Sequence, residues 1–393
     1  MLKFSHGGTT MNKKKSILII SFILILFIML IVIEHGASSD STYISPSLLC
    51  KVVLPIILIL VFLEQIISKM RPNKYANYIS LNNTSPEFEN LYKTLYSNHI
   101  KLLEKWRKQI KLTTILRNIT FILFLLGLFC IDNIIIISPV TTFTIIIVGI
   151  ISLPISIFLF VHNLYLKSEY VDHYKYNIIN SFLTLLNNKL TYSPSSPMLE
   201  QMIQDYRMAI FDKQDFNTSS ADDYIEGYLD NSTFVKMCDI HVQNITGDSD
   251  SKHVKDLFQG MFAFTNSTVD VKSYIKISKS KLITSADNFI EMDNNEFEKH
   301  FDVYSPNKIL AMQILTPDVM ECLIDFHNQY KLDFEITIKD DLIYLRFFTG
   351  SMFEPKIYGN SMDKQLLFTY FCIVKFILEV TQKINITLQS LEI

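Results

Sequence analysis

The sequence predicts N-terminal transmembrane α-helices, four in number, followed by a cytosolic α+β domain with a mostly antiparallel sheet. Of the 393 residues, 49% are hydrophobic and only 19% are charged, whereas about one quarter of the residues of a soluble protein are charged. Long apolar stretches precede residue 167, and short alternating segments typical of strands follow it. These observations exclude one large soluble enzyme and indicate a membrane-anchored globular protein.

The first two predicted spans lie in residues 1–74. Residues 16–33 contain no charge and no helix breaker, and at about 1.5 Å per residue they nearly cross a hydrocarbon core of about 30 Å. No small-residue cleavage site follows, so we expect an uncleaved anchor. Residues 52–67 form the second stretch, but Lys51 and Glu64 lie near its ends. Both charges would have to reach the membrane–water interface, so whether residues 52–67 cross the membrane is left open.

A basic amphipathic cytosolic helix is predicted in residues 75–111. Ser85 and Pro86 suit the N-cap and first helical position, and apolar residues follow at spacings of three, four and seven. The helix could lie on the anionic inner membrane surface. Alternatively it continues the third span into the cytosol and packs on the soluble domain. The second interpretation is favoured, because basic residues are expected at any cytosolic boundary.

Residues 112–166 are predicted to form a transmembrane hairpin with spans at about 112–131 and 143–161. Asp132 is the only charged residue at its tip, and Pro154 lies in the second span, where proline usually bends rather than ends a helix. The lysines and arginines that flank the four spans all fall on one side of this arrangement. Because such residues are retained in the cytoplasm, we expect a multi-pass integral membrane protein with both termini cytosolic.

The net charge of −3 conceals two oppositely charged parts. Residues 1–167 contain 16 Lys and Arg against 7 Asp and Glu, whereas residues 168–393 contain 20 against 32. An acidic domain is repelled by phosphate backbones, so no nucleic-acid partner is expected. The five cysteines are widely spaced and form no CxxC pair, which argues against a disulfide framework or a zinc site.

The acidic cytosolic domain is assigned to residues 170–393. Its first helix is predicted at 170–190, ended by the segment 192–197. Lys375 and Glu379 indicate that the apolar final helix packs on a sheet and does not form a fifth span. Strands are predicted at 224–229, 234–242, 257–264, 274–278 and 301–304, followed by a helix that begins at Thr316-Pro317, a hairpin of 334–338 with 342–347, and the final helix at about 363–384.

Five sequence blocks of this domain, in their order and spacing, are similar to those of a known family. The blocks are LTYSPSSP (190–197), DDYIEGYLDNSTFVKMCDIHVQ (222–243), LFQGMFAFTN (257–266), FEKHFDVYSPNKILAMQILTP (297–317) and FEPKIYGNSM (353–362). The chain resembles the DUF3137 family of bacterial membrane proteins over about residues 87–393. The resemblance implies a bacterial inner-membrane location and no assigned activity. The chain departs from the family in its extra N-terminal spans and at Asp222-Asp223, where a Gly-Glu-Asp or Glu-Asp turn is expected.

The densest acidic group consists of Asp222, Asp223, Glu226 and Asp230. Ca²⁺ and Mg²⁺ prefer such oxygen ligands, but the spacing is not that of an EF-hand, and acidic residues around a turn are commonplace. The ordinary interpretation as a solvated turn is therefore favoured.

Other candidate side chains give no recognisable constellation. Asp239 and His241 are expected on one face of a strand and Cys238 on the other, which is unsuitable for a Cys-His nucleophile pair. His300 and His327 have no partner histidine at metal spacing, and no phosphate-binding or hydrolase motif occurs. No catalytic, cofactor-binding or metal residue is assigned. We expect a noncatalytic module that contacts membrane lipids and binds another protein through its cytosolic domain, the alternative being a membrane-tethered enzyme without a local motif.

Overall fold

The computed structural model describes residues 79–81, 84–132, 139–195, 198–210, 216–229, 233–247, 253–267, 269–279, 288–357 and 359–391. The predicted spans at 16–33 and 52–67 lie outside these ranges. Among the described residues, 102–171 form one compact unit, which we call the helical unit, and 79–101 with 172–391 form a second, the α+β unit.

The helices and strands follow one another in a mixed order. They are α1 (Pro86–Asp132), α2 (Pro139–His173), a π-helical turn (Tyr174–Ile179), α3 (Asn180–Leu186), β1 (Leu190–Ser195), α4 (Leu199–Ala209), β2 (Thr218–Tyr228), β3 (Phe234–Thr246), β4 (His253–Asn266), β5 (Tyr274–Lys279), β6 (Phe289–Ile290), α5 (Asn295–Glu298), β7 (Phe301–Tyr304), α6 (Lys308–Ile314), α7 (Pro317–Tyr330), β8 (Phe334–Lys339), β9 (Leu342–Phe347) and α8 (Lys364–Ser390).

In the helical unit, α1 and α2 pack antiparallel through small and polar residues. A Cβ atom placed on Gly127 would lie 2.6 Å from the Cα atom of Gly149, so the two backbones are in direct contact at this point. Asn163 donates from Nδ2 to the hydroxyl of Thr113 at 2.7 Å and to the carbonyl of Ile110 at 3.0 Å. Small residues and interhelical hydrogen bonds of this kind are typical of helix pairs in membranes.

One helix among the described residues, Ile147–Leu186, is long and apolar enough to cross a membrane. It comprises most of α2, the π-helical turn and α3, and it contains Pro154 without a break. The other three crossings, and the multi-pass arrangement, stay predictions.

The α+β unit is built on a nine-stranded sheet with the order β1-β2-β3-β4-β9-β8-β5-β7-β6. Every neighbouring pair of strands is antiparallel. This confirms the α+β class with a mostly antiparallel sheet.

The two faces of the sheet are covered by different helices. Tyr206 of α4 lies 5.6 Å, ring centroid to ring centroid, from Phe262 of β4. On the opposite face, Phe376 of α8 stacks on Phe326 of α7 at 3.8 Å and lies 5.2 Å from Phe334 of β8. Large aromatic side chains therefore fill both layers of the core.

Local capping signals explain several element boundaries. Thr316 accepts a hydrogen bond from the Val319 amide, and Pro317 occupies the first turn of α7, as the sequence predicts. Asp363 caps α8 in the same way. The β8–β9 turn places Asp340 at a φ of 52°, a left-handed conformation that Asp tolerates better than most residues.

The structure corrects the prediction for residues 170–197. The helix ends at Leu186, not at residue 190, and the segment expected only to terminate it contains strand β1. Pro194 lies within this strand, which is compatible with β1 being at the edge of the sheet. Helices α4, α5 and α6 are also present and were not predicted.

The basic amphipathic helix predicted in residues 75–111 is the first part of α1, which runs without interruption from Pro86 to Asp132. Its first turns pack on α8, where Phe88 lies 4.8 Å from Phe368 and 5.4 Å from Phe371. This agrees with the interpretation in which the helix continues the third apolar stretch and packs on the soluble domain.

The final helix, α8, packs in the α+β unit as predicted. Most of its residues from Leu366 to Val380 are buried, on all sides of the helix. Lys375 remains half-exposed and pairs with Glu87 of α1, and Lys364 lies 2.7 Å from Glu89. The two lysines therefore hold the first turn of α1 against α8.

Because Phe88 is completely buried against α8, its replacement by Ala is expected to destabilise the α+β unit by about 3–5 kcal/mol. Heat unfolding of the full-length protein in detergent, followed by circular dichroism, measures the effect. Tyr96→Ala on the same helix is the control, since Tyr96 is 42% exposed. Equal unfolding midpoints for the two variants would contradict the packing of residues 86–101 in this unit.

Candidate functional site

Four carboxylates and one ammonium group lie together in the α+β unit, an arrangement that we call the acidic cluster. Asp222 and Asp223 come from β2, Asp239 from β3, and Glu354 from the segment after β9. Lys175 belongs to the π-helical turn. One carboxylate oxygen from each of the three aspartates lies within 4.8 Å of those of the other two.

The strand register explains why the aspartates meet. Asp222 and Asp239 are direct partners across β2 and β3, so their side chains project from the same face of the sheet. Consecutive residues would normally alternate between faces. However, the register shifts between Asp222 and Ile225, and Asp223 has a φ of 55°. This bulge turns Asp223 toward the same site, as bulges near functional sites often do.

Lys175 provides the positive charge of the cluster. Its Nζ atom lies 2.7 Å from Asp223 Oδ2, 3.0 Å from Glu354 Oε1 and 3.6 Å from Asp222 Oδ2. The lysine and Asp223 are buried, whereas Asp222 and Glu354 are half-exposed. The cluster therefore has a buried floor and a rim that reaches solvent.

Uncharged hydrogen-bond donors also bond to the carboxylate oxygens of Asp223 and Asp239. The Tyr192 hydroxyl donates to Asp223 Oδ1. The Met352 amide donates to Asp239 Oδ2 at 2.8 Å. In contrast, Asp239 Oδ1 is buried and has no hydrogen-bond partner among the described residues.

Burial and mutual repulsion shift the ionisation of these groups. Burial raises the pKa of Asp223 to about 8, with Asp222 and Glu354 adding to the shift and Lys175 opposing it. Burial also raises the pKa of Asp239 well above its usual range. For Lys175, burial alone would lower the pKa, but the surrounding carboxylates outweigh it and the net pKa is raised. The lysine therefore stays positively charged at neutral pH, and the raised pKa values of Asp222, Asp223 and Asp239 make these three groups harder to ionise than free aspartates.

Only some of the acidic residues singled out from the sequence lie together in the structure. Asp222 and Asp223 do meet at one site, but Glu226 accepts a hydrogen bond from the Tyr224 hydroxyl at 2.7 Å instead. Asp230 lies outside the described residues. The groups that sequence reasoning missed are Lys175, Tyr192, Glu354 and the participation of Asp239. The only sequence signal for Asp239 was its position one strand away from the paired aspartates.

The other candidates lie elsewhere. Cys238 is buried in the hydrophobic core on the face of α4, and His241 contacts Asp256 at 2.9 Å, so no Cys-His pair forms. His300 and His327, distant in sequence, have ring centroids 4.7 Å apart, a proximity that the sequence did not predict. The cysteines Cys238, Cys322 and Cys372 are unpaired, as expected from their spacing.

A separate cavity of about 240 Å³ opens between α7, α8 and the residues just before α1. Aromatic side chains line much of it, together with Cys322, Cys372, Lys375 and Glu379. None of the residues of the acidic cluster contributes to this cavity.

Residues 256–386 match the family model of DUF3137, described as a protein of unknown function. The resemblance is confirmed over these residues. The matched part includes Glu354 of the acidic cluster and Met352, whose amide donates to Asp239. Lys175, Tyr192 and the three aspartates precede it. A wider resemblance, from about residue 87, stays a prediction.

Other comparisons add little. The crystal structure of the mycobacterial trehalose monomycolate transport factor A, TtfA, is 9% identical, and the alignment covers 49% of this chain and 88% of that chain. Its TM-score is 0.24, which does not establish a common fold. No curated protein matches the chain.

Replacing Lys175 by Met is expected to destabilise the α+β unit by about 3–5 kcal/mol at about pH 9, because Asp223, with its pKa of about 8, is then ionised and loses its counter-ion. Heat unfolding of the full-length protein in detergent measures the loss, and the additional change Asp223→Asn should recover part of it. Lys279→Met is the matched control. Its ion pair with Asp333 joins exposed side chains, and such pairs contribute about 0–1 kcal/mol. If both lysine variants unfolded at the same temperature, Lys175 would not have the role assigned to it.

Proposed function

We propose that this protein is a membrane-anchored, noncatalytic module that binds another protein, or regulates a membrane process, at the cytosolic face of the bacterial inner membrane. The observation that carries the proposal is the helix Ile147–Leu186. It has the length and composition of a membrane span, and it also contains Lys175, the ammonium at the centre of the acidic cluster. One helix thus belongs both to the proposed anchor and to the core of the α+β domain.

The chemistry of the buried groups supports a noncatalytic role. Nucleophilic cysteines and lysines are activated by a lowered pKa. Here burial raises the pKa of Cys322 to about 11 and that of Cys372 to about 12. Cys238 is shifted in the same direction by burial, and Lys175 is held in its charged form. These side chains are therefore poor nucleophiles at neutral pH.

Exposed apolar side chains offer surfaces on which a protein partner could dock. Ile309 is 71% exposed at the start of α6, and Val254 is 51% exposed on β4. Single exposed apolar residues are common, so the partner has to be demonstrated directly.

We expect a photoreactive phenylalanine analogue at Ile309 or Val254, in the full-length protein in cells, to yield a discrete adduct with another protein. The same analogue at Phe334, which is buried, is the control and should yield none. Adducts no different from those of the control at both exposed positions would count against a protein-binding role at these surfaces.

The membrane arrangement is tested by replacing the five native cysteines with Ser, introducing single cysteines and labelling them with an impermeant reagent in intact cells. Lys74→Cys and Asp250→Cys are expected to react only after permeabilisation, because both positions are predicted to be cytosolic. Ser39→Cys, in the predicted external loop, should react in intact cells and serves as the control. Labelling of position 74 or 250 in intact cells would refute the four-span arrangement.

A membrane-tethered enzyme is the second candidate, favoured by one observation. Burial raises the pKa of Asp223 to about 8, a value suited to proton transfer near neutral pH, and perturbed groups cluster at active sites. Incubating a metabolite extract with the purified protein tests this. Conversion of one compound by the wild type and not by Asp223→Asn would replace the noncatalytic proposal.

A further inference from the structure

We infer that Asp222, Asp223 and Asp239 bind one hard divalent cation of the size of Ca²⁺. The inference does not rest on the membrane-bound role proposed above. It uses a set of ligands different from the acidic group that the sequence suggested, since Glu226 is engaged with Tyr224 and Asp239 takes part instead.

The donor set favours Ca²⁺ over Mg²⁺. The three ligand oxygens all belong to carboxylates and lie within 4.8 Å of one another. Ca²⁺ accepts several carboxylates in a flexible geometry, whereas Mg²⁺ demands a near-ideal octahedron, keeps several waters and is usually bound through one or two carboxylates. Three carboxylates held on two paired strands therefore suit Ca²⁺ better.

The second observation is a buried oxygen that lacks a partner. Only 5% of Asp239 is exposed. Its Oδ2 atom accepts from the Met352 amide, but its Oδ1 atom has no hydrogen-bond partner in the part of the chain that the structure describes. Buried carboxylates in proteins are normally paired or coordinate a metal. A cation among the three aspartates would supply the missing partner of Asp239.

The ion pairs of the cluster leave its Asp239 side open to a cation. Lys175 forms ion pairs with Asp222, Asp223 and Glu354. Within the described residues, no ion pair reaches Asp239. Three of the four carboxylates thus share the one ammonium, and Asp239 is the member of the cluster with which no described cation pairs. The half-exposed Asp222 side chain gives an ion from solvent a route to the site.

The test is calorimetric titration of the full-length protein, in detergent and after chelator treatment, with CaCl₂ and separately with MgCl₂. We expect one Ca²⁺ per chain with a Kd of about 10⁻⁵ to 10⁻³ M and weaker binding of Mg²⁺. Saturating Ca²⁺ should also raise the unfolding temperature, because a ligand that binds only the folded state stabilises it.

Matched variants locate the site. Asp222→Asn, at the half-exposed rim, and Asp239→Asn, at the buried floor, should each weaken Ca²⁺ binding at least tenfold. Glu226→Gln, on the same strand and outside the cluster, should bind as the wild type does. If Asp239→Asn fails to fold, Asp222→Asn decides. No Ca²⁺ binding at millimolar concentration, tighter binding of Mg²⁺, or an unchanged Kd in Asp222→Asn would each overturn the inference.

Discussion

The ion pair between Lys175 and Asp223 is the interaction on which the α+β unit most depends. The register of β2 and β3 places Asp222 directly opposite Asp239, and like charges in that position repel. The bulge adds Asp223, which is completely buried. The attraction between the ammonium and the surrounding carboxylates offsets part of the cost of burying them. Without Lys175, the strands could pair only with more of these carboxyl groups protonated or with another cation bound.

The position of Lys175 is in turn set by the π-helical turn. A π-helix contains more residues per turn than an α-helix, so its insertion changes the direction of every side chain that follows, and such turns occur frequently at functional sites. Here the turn buries Tyr174, Ile178 and Ile179 together with Lys175. Apolar packing of these neighbours therefore fixes the backbone that carries Lys175, and the surrounding carboxylates hold its ammonium.

Much of the fold could be predicted because it depends on local patterns. Strands β7 and β9 and the start of α7 lie where alternation and capping indicated. The acidic cluster could not be predicted from local patterns. It depends on a one-residue register shift and on Lys175, which is 48 positions before Asp223. Strand β1 was missed because Pro194 normally indicates the end of a helix or strand. The proline is compatible with β1 only because this strand lies at the edge of the sheet. Sequence patterns report periodicity and caps but not which strands become neighbours.

The part of the chain that matches the family contains only some of the residues that build the acidic site. The match begins in β4 and ends in α8, so the matched part includes β9 but not β3, although β4 pairs with both. The aspartates and Lys175 come from the part that precedes the match, while the Met352 amide and Glu354 come from within it. The cluster is complete only when both parts are folded together. Because Met352 follows β9 closely, the pairing of β4 with β9 determines where its amide meets Asp239. The site therefore depends on the centre of the sheet as well as on the edge strand β1, which supplies Tyr192.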